Sequence, residues 1–257
     1  MQITFLGTGT SQGVPVIGCQ CEVCTSADPR DARLRSSVMV ETDTLRIIID
    51  AGPDFRTQML REGINHLDAL LITHGHKDHI GGLDDVRPFN YLMRKPVEVY
   101  ATANVHDDIR RDFFYAFEED RYPGIPEFNL HLVDNNPFKI GSLEVIPVEV
   151  DHFHLKVLGF RIGGFAYITD ASHIPDVEMD KLRGLEVLVI NALRLEPHIS
   201  HFSLPQALEI IAELRPRRAF LTHISHRLGT HARVAKTLPQ GVWLAYDGLK
   251  IEVNLFT

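Results

Sequence analysis

The stretch Thr73-His74-Gly75-His76-Lys77-Asp78-His79-Ile80-Gly81-Gly82 places three imidazoles and a carboxylate within six residues. The apolar run before it, Ala69–Thr73, reads as a buried strand, and the two glycines after it read as a turn. The polar side chains therefore hang from the C-terminal edge of a strand. Neutral imidazoles and carboxylates suit borderline divalent ions such as zinc, manganese or iron. Four such donors exceed what one tetrahedral ion takes from a single turn, so the spacing predicts two neighbouring ions. A solvated polar turn is the alternative reading, and the density of donors weighs against it.

Upstream, the apolar run Ile3–Leu6 stops at Gly7-Thr8-Gly9, and the runs Val38–Glu41 and Leu45–Asp50 are separated only by Thr42-Asp43-Thr44. So short a connection joins antiparallel strands, because a parallel crossover needs a dozen residues or more. This opening excludes an eight-fold barrel and a pure dinucleotide fold. A helix is expected over Phe55–Arg61, a strand over Val97–Tyr100 and an amphipathic helix over Val105–Phe117. The charged, proline-containing segment Glu118–Glu127 reads as a surface loop or flap. Strands follow at Asn129–Val133, Leu143–Val150, Val157–Ile162 and Phe165–Thr169. The last third alternates: strand Glu186–Asn191, helix Ser203–Leu214 with Ser203 as N-cap, then strands Arg218–Thr222, Val242–Tyr246 and Leu249–Val253. Two halves, each with strands before helices, predict two sheets packed face to face with helices outside. The absence of a linker or repeat predicts a single domain over 1–257.

The 257 residues carry 26 Lys and Arg against 34 Asp and Glu, a net charge of −8, which argues against nucleic acid as a partner. Hydrophobic residues at 44% and charged residues at 23% are ordinary for a globular chain. No run has the length of a membrane span and the N-terminus has no signal-peptide pattern, so no membrane association and a cytoplasmic location are expected. Three cysteines beside 14 histidines cannot form a disulfide framework, which leaves them as metal ligands or inert core.

The HxHxDH turn, the opening Leu6-Gly7-Thr8-Gly9-Thr10-Ser11 and the strand Ile47–Asp50 ending in Asp50-Ala51-Gly52 together resemble the metallo-β-lactamase superfamily over nearly the whole chain. The resemblance implies an α/β fold, an αββα sandwich of two mixed sheets with outer helices. It implies His74 and His76 as ligands of a first ion, and Asp78 and His79 as ligands of a second, with Asp78 also counted among the catalytic residues. Downstream it implies His152 for the first ion, in preference to His154, Asp170 as a bridging carboxylate, and His223 to complete the second. Asp50 is expected to orient a ligating histidine.

All three cysteines fall in Cys19-Gln20-Cys21-Glu22-Val23-Cys24. Thiolates so spaced, with one distant histidine, are the donor set of a closed Cys₃His zinc site, while three reduced thiols in a loop are the alternative. The pairing of this CxCxxC with Thr222-His223-Ile224-Ser225-His226 resembles the PhnP group of phosphodiesterases, which hydrolyse a ribose cyclic phosphate and carry a structural zinc. By that resemblance His226 is the fourth zinc ligand and residues 18–25 form the zinc loop. The same resemblance assigns His201, in Glu196-Pro197-His198-Ile199-Ser200-His201-Phe202-Ser203, to protonation of the leaving oxygen, with His198 less well aligned. The shorter preceding stretch Asn191–Glu196 departs from the group's pattern and leaves the substrate open. Arg87 and Arg194 are candidates for a substrate phosphate, against roles in surface ion pairs.

The expected function is that of a dinuclear metal-dependent phosphodiesterase acting on a small-molecule phosphoester, cyclic ones included. It would use two catalytic divalent ions, Mn or Zn, and one structural Zn. The alternatives are ribonuclease Z-like RNA processing, lactone or thioester hydrolysis, and a non-catalytic binding protein of cofactor biosynthesis. A homodimer is compatible with this sequence.

Overall fold

Strands that are apolar on both faces must be covered on both faces, and that requirement sets the layers of this protein. The computed structural model describes residues 1–120 and 122–254. Its strands are β1 (Gln2–Gly7), β2 (Ser37–Glu41), β3 (Arg46–Ile49), β4 (Ala69–Leu71), β5 (Val97–Ala101), β6 (Phe128–Leu132), β7 (Phe138–Ile140), β8 (Leu143–His152), β9 (Leu155–Ile162), β10 (Phe165–Ile168), β11 (Val187–Asn191), β12 (Arg218–Thr222), β13 (Val242–Leu244) and β14 (Lys250–Glu252). The helices are α1 (Phe55–Glu62), α2 (Lys77–Ile80), α3 (Arg87–Met93), α4 (Ala103–Asp112), α5 (Asp176–Met179), α6 (Leu204–Leu214) and α7 (His231–Ala235). None of these is long and apolar enough to cross a membrane.

Two seven-stranded sheets result, in the orders β14-β1-β2-β3-β4-β5-β6 and β13-β12-β11-β10-β9-β8-β7. Each is mixed. β2 and β3 pair antiparallel, as their three-residue connection requires, and β3, β4, β5 and β6 then run parallel. In the second sheet β8, β9 and β10 are antiparallel and β10 to β13 parallel.

Side-chain alternation assigns residues to layers. Ile47 and Ile49 of β3 join Phe160, Tyr167, Val189 and Phe220 between the sheets. Ile48 points the other way, into a layer with Phe55 and Met59 of α1, Phe89 of α3 and Ile109 of α4. On the second sheet Leu188 and Ile190 pack under Leu204, Ala207 and Ile211 of α6. The result is helices, sheet, sheet, helices.

The helix expected over Val105–Phe117 ends earlier, at Asp112. Phe113 takes φ −119° and ψ 39°, outside the helical region, and a short 3₁₀ turn at Phe114–Ala116 carries the remaining apolar residues. In the segment Glu118–Glu127, of which residue 121 lies outside the described residues, no helix or strand is described, and Ile125 and Pro126 are buried.

Two glycines position the histidine turn. A Cβ on Gly52 would lie 2.0 Å from the carbonyl oxygen of Asp78, and one on Gly82 would lie 2.0 Å from the carbonyl oxygen of Gly52. The turn is thus pressed backbone to backbone against the end of β3, with no room for a methyl group. Gly82→Ala should lose about 1–3 kcal/mol of stability, the usual effect of overpacking. Chemical denaturation, with metal content measured in parallel, checks this, and an unchanged midpoint would contradict the close approach.

Candidate metal centre

The site lies where β3, β4, β8, β10 and β12 end. Asp50 follows β3 in a left-handed conformation, φ 66°, and its carboxylate is fully buried. It accepts the Thr73 N–H at 2.9 Å and the Thr73 hydroxyl at 2.9 Å, and it lies 2.7 Å from His79 Nδ1. A carboxylate acceptor requires the ring proton on Nδ1, which leaves the lone pair on Nε2. The expectation that Asp50 orients a histidine matches this arrangement.

His74 and His152 repeat the logic. The Thr73 hydroxyl, which donates to Asp50, lies 3.0 Å from His74 Nδ1, and the Ser200 carbonyl lies 2.8 Å from His152 Nδ1. In each ring Nδ1–H donates to an oxygen and Nε2 is left as an electron-pair donor, the arrangement found in metal-ligating histidines. His152 is the last residue of β8. His154 sits in the exposed two-residue turn before β9 and takes no part in the cluster.

Two groups of donors result. Those of His74, His76 and His152 lie within 4.8 Å of one another, as do those of Asp78, His79, Asp170 and His223. Asp78 and His79 are spaced by the single turn of α2. Asp170 and His223 follow β10 and β12 with φ of 58° and 54°. His79 Nε2 is buried without a hydrogen-bond partner, although Asp78 and Asp170 oxygens lie 3.1 and 3.2 Å away. Likewise His74 Nε2 faces His76 Nδ1 at 3.0 Å. Lone pairs converging on lone pairs fit cations held among them.

The electrostatics agree. Burial pushes His74 well below the usual imidazole range, lowers His152, and takes His223 to about 4 against the pull of Asp170. These rings are neutral, as ligands must be. Burial also acts to raise Asp170, but His223 and His79 outweigh it and hold the carboxyl well below its ordinary value. Asp78 is lowered in the same way, chiefly through His79. His79 differs. Burial opposes its charge, yet Asp50, Asp170 and Asp78 raise it well above the ordinary range. The field that draws a proton to this ring draws a divalent cation equally well.

His201 Nε2 lies 3.1 Å from Asp170 Oδ1, and the donors of His152, Asp170 and His201 also fall within 4.8 Å of one another. His198 stands behind it, ring centroids 5.2 Å apart. Arg87 pairs with Asp84 at 2.5 Å, the surface role weighed for it. Two contacts had no signal in the sequence. Thr10 Oγ1 lies 3.2 Å from His223 Nε2, and the Thr169 hydroxyl donates to Asp170 at 2.6 Å.

A second cluster forms beside the first. The thiols of Cys19, Cys21 and Cys24 lie 3.3, 3.4 and 3.5 Å from His226 Nδ1. The Cys24 N–H, with His226, brings the Cys21 thiol down to about 6, opposing the effect of burial, and burial pushes Cys24 up to about 11. Four mutually close donors of this kind fit a closed tetrahedral zinc site.

Residues 45–224 match the model of the beta-lactamase superfamily domain. The chain belongs to the β-lactamase superfamily. Within that superfamily it is PhnP-like: it is 43% identical to a crystal structure of a new diphosphatase from the PhnP family, with a TM-score of 0.93 over 99% of this chain and 98% of that one. It is 41% identical over 257 residues to an octanoyltransferase of Porphyromonas gingivalis, covering 99% of this chain but 52% of the relative, so it spans about half of that protein. It is 35% identical over 228 residues to coenzyme PQQ synthesis protein B of Methylorubrum populi, covering 76% of this chain and 74% of the relative. The two seven-stranded mixed sheets are the superfamily's αββα sandwich. The fold is one that implies divalent ions, and the two donor groups lie where they would be held.

Asp50→Asn removes the charge that fixes the His79 ring. The variant should bind the divalent ion at Asp78, His79, Asp170 and His223 about 10–100-fold more weakly, the usual effect of losing such a partner. Competition with a chromophoric chelator measures it, and an unchanged affinity would remove Asp50 from the site.

Proposed function

We propose that residues 1–257 act as one hydrolase domain, a dinuclear phosphodiesterase that cleaves a phosphodiester or diphosphate linkage of a small molecule. The observation that carries this reading is His201, 12% exposed at the mouth of the cluster, 3.1 Å from Asp170 and with its ring centroid 4.7 Å from that of His152. The similarity to a PhnP-family diphosphatase supports it. His74, His76 and His152 would hold one ion, Asp78, His79 and His223 the other, with Asp170 between. When bound, the two ions supply Lewis acidity and a water acidic enough to attack at neutral pH. Zn and Mn both suit this donor set. Asp78 and Asp170 supply two negative charges against four positive ones, a balance that favours an anionic transition state.

The chain's own residues do the remaining work. The Ser200 carbonyl takes the His152 proton, and the Ser200 hydroxyl lies 2.9 Å from His201 Nδ1. One residue thus positions both rings. His201 Nε2 faces the cluster and can carry a proton to the departing oxygen, work suited to an imidazole near neutral pH. Acyl transfer, the activity in the octanoyltransferase's name, is not proposed. The three cysteines lie with His226, so no thiol reaches the dinuclear cluster. We propose no nucleic acid or membrane partner and a cytoplasmic location.

The test is a panel of bis(4-nitrophenyl) phosphate, small diphosphates, a lactone and a thioester, assayed with Mn and with Zn. Turnover confined to the phosphorus substrates is expected; turnover confined to the lactone or thioester would overturn the reading. His201→Ala should lower turnover about 10²–10⁴-fold for an alkoxide leaving group. For nitrophenolate, which leaves unaided, the loss should be far smaller. Equal losses on both would make His201 a metal ligand instead.

The Cys19, Cys21, Cys24 and His226 set has no vacancy for substrate, so its zinc would serve structure alone. Metal analysis should give about three ions per chain. Cys21→Ser should lower the melting temperature and loosen residues 18–25 in hydrogen exchange. Activity should fall much less than in Asp78→Ala. Loss of the dinuclear ions with the loop still protected would refute separate sites.

A further inference from the structure

Six non-glycine residues among those described have positive φ. Arg94 and Arg215 take it as left-handed caps at the ends of α3 and α6. Asp50, Asp170 and His223 take it to build the metal centre. The sixth is Phe153, at 57°, and neither use accounts for it. His152 pairs with Leu155, so Phe153 and His154 form a two-residue turn. The first position of such a turn, where φ is positive, ordinarily goes to glycine. An aromatic side chain there is strained, and strain of this kind persists only where the surroundings enforce it.

Here they do. The Phe153 N–H donates to Ser172 Oγ at 3.2 Å, and that hydroxyl donates to the Asp151 carbonyl at 2.9 Å. The Asp151 carboxylate is held in turn by Lys156 at 2.6 Å and His173 at 2.8 Å. What the braced turn presents is aromatic. Phe153 is 47% exposed, His154 is exposed beside it, and their ring centroids lie 3.6 Å apart at an interplanar angle of 41°. β8 ends at His152 on the rim of the metal centre, so the pair stands on that rim, one residue past a metal-site histidine. The segment hydrogen-bonded to His152 adds to this surface. Ser200, whose carbonyl lies 2.8 Å from His152 Nδ1, follows Ile199, which is 66% exposed. Arg194 braces the same segment, donating through Nε to the Glu196 carbonyl at 3.2 Å and through Nη2 to the Pro197 carbonyl at 2.7 Å. An aromatic pair held out of the core by a strained backbone, beside a centre for phosphoryl chemistry, fits a surface on which a flat ring stacks. Stacking needs a π face, which an alkyl chain lacks, and His154 adds a ring nitrogen able to bond a heteroatom.

We infer that Phe153 and His154 form a platform on which a heteroaromatic ring of the substrate, of nucleobase type, stacks while its phosphoryl group lies at the dinuclear cluster, with Ile199 bordering the ring. The inference rests on the phosphodiesterase reading and narrows it to nucleotide-like esters. It also gives His154 a task other than metal binding.

Two probes differ only in the base: thymidine 5′-(4-nitrophenyl phosphate) and the same ester of 1,2-dideoxyribose. The holoenzyme should favour the thymidine ester by about tenfold in kcat/KM, expressed in KM. F153L keeps an apolar side chain without a π face and should bring the ratio toward one. F153Y should keep the preference, and H154A should lose part of it. F153N suits the left-handed backbone, so it should lose the preference while its melting temperature holds or rises, which separates a lost platform from a lost fold. Calorimetric titration with adenosine 5′-monophosphate, ribose 5-phosphate and octyl phosphate gives a readout independent of turnover. The nucleotide should bind the wild type about tenfold more tightly than either other ligand, and F153L no more tightly. Its adenine H2 and H8 resonances should move upfield on binding the wild type and much less on binding F153L. Hydrolysis of both esters without preference, and equal affinities, would overturn the platform and leave the phosphodiesterase reading standing. Octyl phosphate binding as tightly as the nucleotide would overturn it too, since apolar contact would then suffice. Failure to hydrolyse either ester would count against the phosphodiesterase reading, and the titrations would still decide the platform.

Discussion

A buried carboxylate that must find its donors inside the protein organises this molecule. Removing Asp50 from water costs several kcal/mol unless hydrogen bonds replace the lost solvation. The Thr73 backbone, the Thr73 hydroxyl and His79 Nδ1 supply them. Each bond fixes something further along. The first ties the end of β4 to the end of β3, the second turns the Thr73 oxygen toward His74, and the third aims His79 Nε2 at Asp78 and Asp170. The close contacts at Gly52 and Gly82 keep this arrangement from relaxing outward. One unfavourable burial thereby sets the orientation of two rings in different donor groups.

The remaining donors arrive by a shared device. β10 and β12 end in residues of positive φ that swing their side chains across the rim, as β3 does at Asp50. The sheets are apolar on both faces and hold these ends still, so a few irregular residues suffice to build the centre. The zinc loop is attached to the same rim through His226, three residues beyond His223. A depression lined by Arg194 and Arg227 lies between the two clusters.

Much of this was legible in the sequence, for physical reasons that differ by residue. Double-sided apolar runs such as Ile47–Ile49 and Val187–Ile190 mark buried strands, and the Thr42–Thr44 connection determines an antiparallel pair. β7 escaped notice because Phe138–Ile140 is too short for any period to show. α2 is a single turn hidden inside the histidine motif. α4 was read too long because Phe113–Phe117 is apolar, and apolar spacing cannot reveal where the backbone leaves the helical region. His152 and His154 have the same strand parity, so only the family's order favoured His152; the hairpin at Phe153–His154, which ends β8 at His152, is what separates them. Thr10 belongs to the opening motif, but no local pattern tied it or Arg227 to the surroundings of His223. Their place depends on the approach of Thr8–Thr10 to Ile224, a contact between residues more than two hundred positions apart.

The positive φ at His223 has an evolutionary consequence. A β-carbon at that angle costs of order 1 kcal/mol or more, which glycine would avoid. Asp50 and Asp170 bear the same kind of cost, and aspartate, like histidine, is among the non-glycine residues enriched there. Selection for thermal resistance alone would therefore find relief at position 223, and the molecules it enriched would be sturdier and chemically idle. Retention of histidine there under such a regime would signal that activity, too, was being selected.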